Sequence, residues 1–231
     1  TVLADHGESL GEHGENTHGI LPYSATLHVP WLLWTNDGPQ RLRLDKTVSQ
    51  VDVAPTLLDL VGLLSKEGDK DMAGQSLLNP VAADRPVYSE SYLPFYTYGW
   101  SKLQVMRQGS WEYIKAPTEE LYDLGRDPRE LTNLAARRQE VTHDLVGLLE
   151  LFQQEYAPEG DREQALEVDQ VSLEKLRALG YIAMSGTSSP ADGPRADPKD
   201  VVGLHTSLER ARSLMMKSLY TEAAVLLEGL L

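Results

Sequence analysis

Cysteine is absent from all 231 residues, which excludes disulfides, thiolate zinc sites and a cysteine nucleophile within them. Basic residues are scarce: 21 Lys plus Arg stand against 35 Asp plus Glu, a formal charge of −14. A chain of that sign has no broad basic face to meet phosphates, which argues against nucleic acid and against an anionic membrane surface as partners. No apolar run approaches ~20 residues, so no segment is expected to span a bilayer. The opening Thr1-Val2-Leu3-Ala4 has no initiator Met, basic leader or apolar signal core, and Leu231 follows a helical pattern with neither cap nor breaker. The chain reads as a piece cut inside an element at each end, and its compartment stays open.

What is present suffices for a core. Hydrophobic residues make up 41 % and charged residues 24 %, which excludes disorder throughout, and the length suits one large domain or two modest ones. Residues 29–35, Val-Pro-Trp-Leu-Leu-Trp-Thr, are nearly continuous in apolar character, as in a parallel strand covered on both faces. A turn follows at 36–39. A helix is expected next, with Ser49 or Asp52 as N-cap, Pro55 in its first turn and Gly62 at its C′ position. Strand, helix and strand with buried patterning indicate an α/β architecture, expected to occupy residues 1–85.

Residues 86–156 read as a small α+β unit. It holds a strand at 86–90, a hairpin of 102–106 with 111–115 through Gln108-Gly109-Ser110, and a helix over 137–156 with apolar residues at helical spacing. Residues 157–197 are mostly polar and read as a linker, with a short helix-like patch at 171–182 and a Ser-, Gly- and Pro-rich run at 185–194. Residues 198–231 form a helical hairpin. The succession Ala211, Tyr220, Ala223-Ala224 resembles a tetratricopeptide repeat, whose unit needs neighbours to bury its face; a plain helical hairpin explains it too.

Chemistry concentrates in residues 5–19, where Asp5, Glu8, Glu12 and Glu15 stand with His6, His13 and His18 and no Lys or Arg occurs before Arg41. Negative charge at that density needs full solvation or a bound cation. Asp5 and His6 follow directly on a strand, so a sheet edge can fix an oxygen donor beside a nitrogen donor, a pair suited to a divalent ion. Glu8, Glu12 and Glu15 are expected as solvated loop carboxylates. His13 suits either a loop-orienting or a purely structural part, His28 a satisfied structural part, and His143 and His205 the surface of their helices. Tyr92, Phe95, Tyr96, Tyr98 and Trp100 are expected to pack rather than to line a cleft.

Asp5-His6-Gly7-Glu8 with Gly11-Glu12-His13-Gly14, His18-Gly19 and Val29-Pro30 resembles the C-terminal metal-binding segment of the sulfatase family. Val51-Asp52-Val53-Ala54-Pro55-Thr56-Leu57-Leu58-Asp59, then Gly74-Gln75-Ser76-Leu77-Leu78, then Glu120-Leu121-Tyr122-Asp123-Leu124 with Asp127-Pro128 and Asn133-Leu134, resemble the following blocks in the family's order. The resemblance implies the C-terminal portion of an alkaline-phosphatase-like α/β sandwich with a small antiparallel β-sheet subdomain, then the helical repeat hairpin. It implies Asp5 and His6 as metal ligands and His18 as the catalytic residue that contacts sulfate. It also implies one divalent metal ion, Ca²⁺ ahead of Mg²⁺, Mn²⁺ or Zn²⁺. The substrate class would be a sulfated small molecule or glycan, with a protein partner for the repeat region. The family's formylglycine nucleophile arises in a C/S-x-P-x-R motif. That motif is absent, since Ser188-Ser189-Pro190-Ala191 runs into Asp192, so the piece alone is expected to be inactive. Two alternatives stand beside this: a phosphate or phosphonate ester hydrolase of the same superfamily, in which His18 ligates a second ion, and a non-catalytic repeat-containing binding protein.

Overall fold

Four strands form the main sheet: β3 (Val87–Ser91), β4 (Leu103–Gln108), β5 (Trp111–Lys115) and β6 (Glu120–Asp123), antiparallel in the order β3-β4-β5-β6. They belong to a computed structural model that describes residues 1–36, 43–64, 72–156 and 194–230. The expected turn residues 37–39, the helix-like patch at 171–182 and the linker residues up to 193 lie outside the described residues. The β4–β5 hairpin closes through Gly109-Ser110, with Gln108 facing Trp111 and Gly109 at φ 59°, a left-handed conformation that a two-residue turn requires and glycine adopts without strain.

Both faces of this sheet are covered. Leu103, Val105, Ile114 and Tyr122 pack with Ile20, Leu21, Tyr23 and Val202 on one side. Met106, Tyr113 and Leu121 pack on the other with Leu145 and Leu149 of a long helix, Gln139–Tyr156. Double coverage explains why the β4 and β5 sequences alternate only in part: a side chain on either face meets a neighbour, so both positions favour apolar residues.

Before the sheet come two short helices, α1 (Ser24–Leu27) and α2 (Val53–Leu60); α3 (Leu93–Tyr98) lies between β3 and β4, and the helix packed on the sheet is α4. A 3₁₀ turn at Gln50–Asp52 leads into α2, and Ser49 stands at its N-cap with its N–H donating to Asp52 Oδ2 at 2.8 Å. Gly62, at φ 71°, ends the helix as expected, its N–H bonding Asp59 O at 3.0 Å. Asp52 is wholly buried and organises this region. Arg85 grips both its carboxylate oxygens and Gln75 N donates to Oδ1 at 2.9 Å, so the helix and the Gly74-Gln75-Ser76 segment are fixed to one carboxylate.

The strand reading of residues 29–35 needs correction. Only Trp31–Leu32 (β2) is extended, and it pairs antiparallel with β1 (Val2–Leu3), Leu3 opposite Trp31. Trp34 is 80 % exposed and Leu32 65 %. A continuous apolar run records that a strand is to be covered. It does not record whether the cover lies within these residues, and among the described residues only β1 pairs with it.

After residue 193 the chain returns to the sheet. Ser101 N donates to Ala196 O at 3.0 Å, Arg195 Nη1 to Gly99 O at 3.0 Å and Thr118 N to Asp197 Oδ2 at 3.0 Å. Asp197 then caps α5 (Pro198–Met216) by accepting from Lys199 N at 3.1 Å, with Pro198 at the first helical position. The partner helix α6 (Tyr220–Glu228) packs against α5, with Ala211 and Ala223 buried. Among the described residues no helix is long and apolar enough to cross a membrane.

Candidate active site

The loop after β1 is built on close backbone contacts. A Cβ on Gly7 would lie 2.1 Å from the Ala25 carbonyl oxygen, and Gly7 N donates to Thr26 O at 2.8 Å, so glycine alone lets the chain pass α1 here. Gln50 Nε2 donates to the carbonyls of Ala4 (3.1 Å) and Asp5 (2.6 Å), tying the strand end to the turn before α2. The loop is cross-braced by Ser9 N to Thr17 O and Gly11 N to Glu15 O, both 2.9 Å.

The three residues singled out from sequence line one cleft. Asp5, His6 and His18 share its wall with Gly19, Leu21 and Trp31. Asp5 Oδ1 accepts from His6 N at 3.1 Å and the Asp5 side chain is 91 % exposed. His6 Nδ1 lies 2.8 Å from Gly7 O; since a carbonyl only accepts, Nδ1 carries the proton and neutral His6 presents the lone pair of Nε2. His18 stacks on His6 with centroids 3.9 Å apart, and its Nδ1 lies 3.0 Å from Glu8 Oε2. A carboxylate likewise accepts, so Glu8 fixes the His18 tautomer and leaves Nε2 for other contacts.

A metal ion suits this donor set in part. Asp5 supplies an anionic oxygen and His6 an imidazole nitrogen whose other nitrogen is anchored to a carbonyl, the usual way a ligand ring is oriented. Among the described residues no third His, Cys, Asp or Glu joins them in a metal-ligating cluster. The cleft itself, about 1820 Å³, exceeds the ~300–1,000 Å³ of an ordinary ligand site. Leu3, Trp31, Leu32, Leu33 and Trp34 line one stretch of it, which makes that part of the wall apolar.

Several sequence readings change. Glu15 is not a solvated loop carboxylate: it is fully buried and accepts from Ile20 N (3.0 Å) and Leu21 N (2.8 Å), turning the loop back into the core. Burial pushes its carboxyl above the usual range, with those two N–H donors opposing. His205 is not a surface residue. It is 7 % exposed, its Nδ1 lies 2.8 Å from Tyr98 OH and its Nε2 3.4 Å from Thr17 Oγ1. Burial lowers its pKa, because a charged imidazole there would lose its hydration. His28 is exposed at the cleft rim, Glu12 is exposed and accepts from Leu10 N at 2.6 Å, and His13 stacks on Tyr23 with centroids 3.6 Å apart. His143 is exposed, as expected. Tyr98 stacks on Trp100 against the core and Lys102 lies over Tyr92 and Phe95, packing parts as expected, although Tyr92 also lines the cleft.

Gly7 and Glu15 stood inside the stretch 5–19, yet their parts could not be read there, since Gly7 is set by α1 and Glu15 by Ile20 and Leu21. Gln50 and His205 gave no signal: their partners are 45 and 188 residues away in sequence.

The segment that carries this cleft wall is similar to known proteins. Residues 1–63 match the family model described as Sulfatase. Arylsulfatase K of Mus musculus is 29 % identical over 153 residues, covering 62 % of this chain and 28 % of that protein. Choline-sulfatase of Rhizobium meliloti is 36 % identical over 142 residues, covering 57 % of this chain and 26 % of that protein. Among solved structures, a 2-O GAG sulfatase superposes with TM-score 0.55 at 26 % identity, over 73 % of this chain and 38 % of that one. The chain thus spans little more than a quarter of the length of the curated relatives it matches. Its fold is the alkaline-phosphatase-like α/β fold of these sulfatases in the part that it covers, and its first 63 residues are similar to the sulfatase model.

Proposed function

We propose that this chain supplies the C-terminal part of a metal-dependent sulfuric ester hydrolase. The observation that carries the reading is the convergence of Asp5, His6 and His18 on one cleft wall, inside the segment matched by the sulfatase model. Asp5 and His6 Nε2 are the groups that would hold a divalent cation, Ca²⁺ by family analogy. Such an ion, when bound, would neutralise charge developing on the sulfuryl oxygens and help activate a nucleophile. His18, oriented by Glu8, directs Nε2 at a sulfuryl oxygen or the leaving group, and when its ring is doubly protonated it donates the Nε2 proton there. The nucleophile comes from residues outside this chain, which has no C/S-x-P-x-R motif.

The domain assignment follows from the same reading. Residues 1–85 are part of the α/β core, 86–156 the C-terminal subdomain and 198–231 a tetratricopeptide-like region that recruits a protein partner; residues 157–193 of the expected linker lie outside the described residues. Burial of Ala211 and Ala223 at the α5–α6 pair supports the last assignment. The exposed apolar wall of Leu3, Leu32, Leu33 and Trp34 is where the remaining layer of the sandwich packs. The matched relatives are sulfatases, so the phosphate- or phosphonate-ester alternative is not favoured.

The test is metal stoichiometry and turnover of an aryl sulfate by the complete enzyme. One tightly held divalent ion per chain and metal-dependent release of sulfate are expected. Two held transition ions with phosphatase activity would overturn the reading.

A further inference from the structure

Helix α5 touches the site loop at two places just before His18. Thr206 Oγ1 donates to Gly14 O at 3.1 Å, and His205 Nε2 lies 3.4 Å from Thr17 Oγ1. Between them Val202 fits against Gly14, so closely that a Cβ there would lie 3.3 Å from Val202 Cγ1; Gly14 is at φ 86°. Thr17 is the residue whose carbonyl closes the loop on Ser9 N, and it precedes His18 directly. His205 is held on its far side by Tyr98 OH at 2.8 Å, and Tyr98 is stacked on Trp100 at 4.4 Å. The helix start is bolted to the sheet by Asp197 and by Lys199, whose Nζ lies 3.2 Å from Asp197 Oδ2 and 3.8 Å from Glu120 Oε1.

We propose that α5 is a positioning element for the active-site loop and that His205 is its positioning residue, holding Thr17, and through it His18, at the cleft wall. The proposal rests on the sulfatase reading for its catalytic consequence but not for its structural content. A buried neutral imidazole has one donor and one acceptor nitrogen, and here two hydroxyls stand at them. Its removal leaves Thr17 Oγ1 and Tyr98 OH without that bridge, and the loop loses a side brace at Thr17. Helix α5 thereby joins the helical hairpin to the site, and the hairpin is more than an appendage carried by a linker.

The experiment compares His205→Ala, His205→Gln and Thr17→Val in the complete enzyme, with two readouts. Amide exchange at Ser9 and Gly11, whose N–H groups close the loop, needs no turnover. His205→Ala and Thr17→Val are each expected to speed it about 10-fold, with no further gain in the double variant, and His205→Gln to restore most of the protection. For aryl sulfate, His205→Ala is expected to lower kcat/KM by about 10-fold, while affinity for Ca²⁺ stays within about 2-fold. Unchanged exchange at Ser9 and Gly11, or strictly additive effects of the two substitutions, would overturn the proposal. Faster exchange in a wild-type background that never hydrolyses aryl sulfate would uphold the loop brace and sink the sulfatase reading instead.

Discussion

The imidazoles of His6 and His18 lie face to face, ring centroids 3.9 Å apart and planes 28° from parallel, across a loop that separates them by a dozen positions. Each ring spends its Nδ1 on an oxygen of the loop, Gly7 O for His6 and Glu8 Oε2 for His18. Both therefore present Nε2 as the working nitrogen. The stack couples a candidate metal ligand to a candidate substrate contact, while each ring keeps its own anchor, Gly7 O or Glu8 Oε2.

Gly7 is the first place to test that coupling. Gly7→Ala drives a methyl to within 2.1 Å of the Ala25 carbonyl and strains the Gly7–Thr26 hydrogen bond, so His6 must move. Metal affinity of the complete enzyme is expected to fall by about 10- to 100-fold, read by calorimetric titration. Gly147 in α4 has nothing within 4 Å of its Cβ position, and Gly147→Ala is expected to stabilise the protein by about 0.5–1 kcal/mol. Equal effects of the two substitutions on metal binding would contradict the account.

Asp52 anchors the region behind the site. It is fully buried, paired to Arg85 and bonded by the N–H groups of Ser49 and Gln75. Asp52→Asn leaves the Arg85 guanidinium, 19 % exposed, without its counter-charge, and a loss of about 3–5 kcal/mol is expected in chemical denaturation. A change below about 1 kcal/mol, the worth of an exposed pair, would show that the pair is not structural.

Glu112 provides a pH signature. It is 2 % exposed and faces Glu130, which accepts from Ser24 N. Burial above all, then the hydrogen bond and charge of Glu130, push its carboxyl well above the usual range, with Arg107 opposing. Folded Glu112 thus keeps a proton that the unfolded chain releases near pH ~4.3. Its contribution is fully present below that pH and is lost as pH rises toward the folded value. Glu112→Gln cannot ionise, so its stability relative to wild type is expected to grow as pH is raised from about 4 to 8. A difference that stays constant over that range would exclude the protonated pair.

Much of the fold could be read from local signals. The Gly109-Ser110 hairpin, Gly62 at the end of α2 and the apolar spacing of α4 each depend on residues within a few positions, and each occurs where its pattern points. Asp5, His6 and His18 were legible as candidates because carboxylate and imidazole crowd a stretch without Lys or Arg, and they line one cleft. The parts of Glu15 and His205 were not legible. A buried carboxylate and an exposed one share a letter, and His205 becomes a core residue only because Tyr98, far away in sequence, meets it. Trp34 erred in the opposite sense: apolar character marks a face to be covered, and these residues leave it 80 % exposed.

Asp5 carries the central claim, and one assay of the complete enzyme tests it most directly: metal-dependent sulfate release from an aryl sulfate by wild type and Asp5→Ala. The account predicts that turnover falls by at least about 10³-fold with loss of the bound ion, while the fold, judged by its thermal transition, is retained. Undiminished turnover by Asp5→Ala would contradict it.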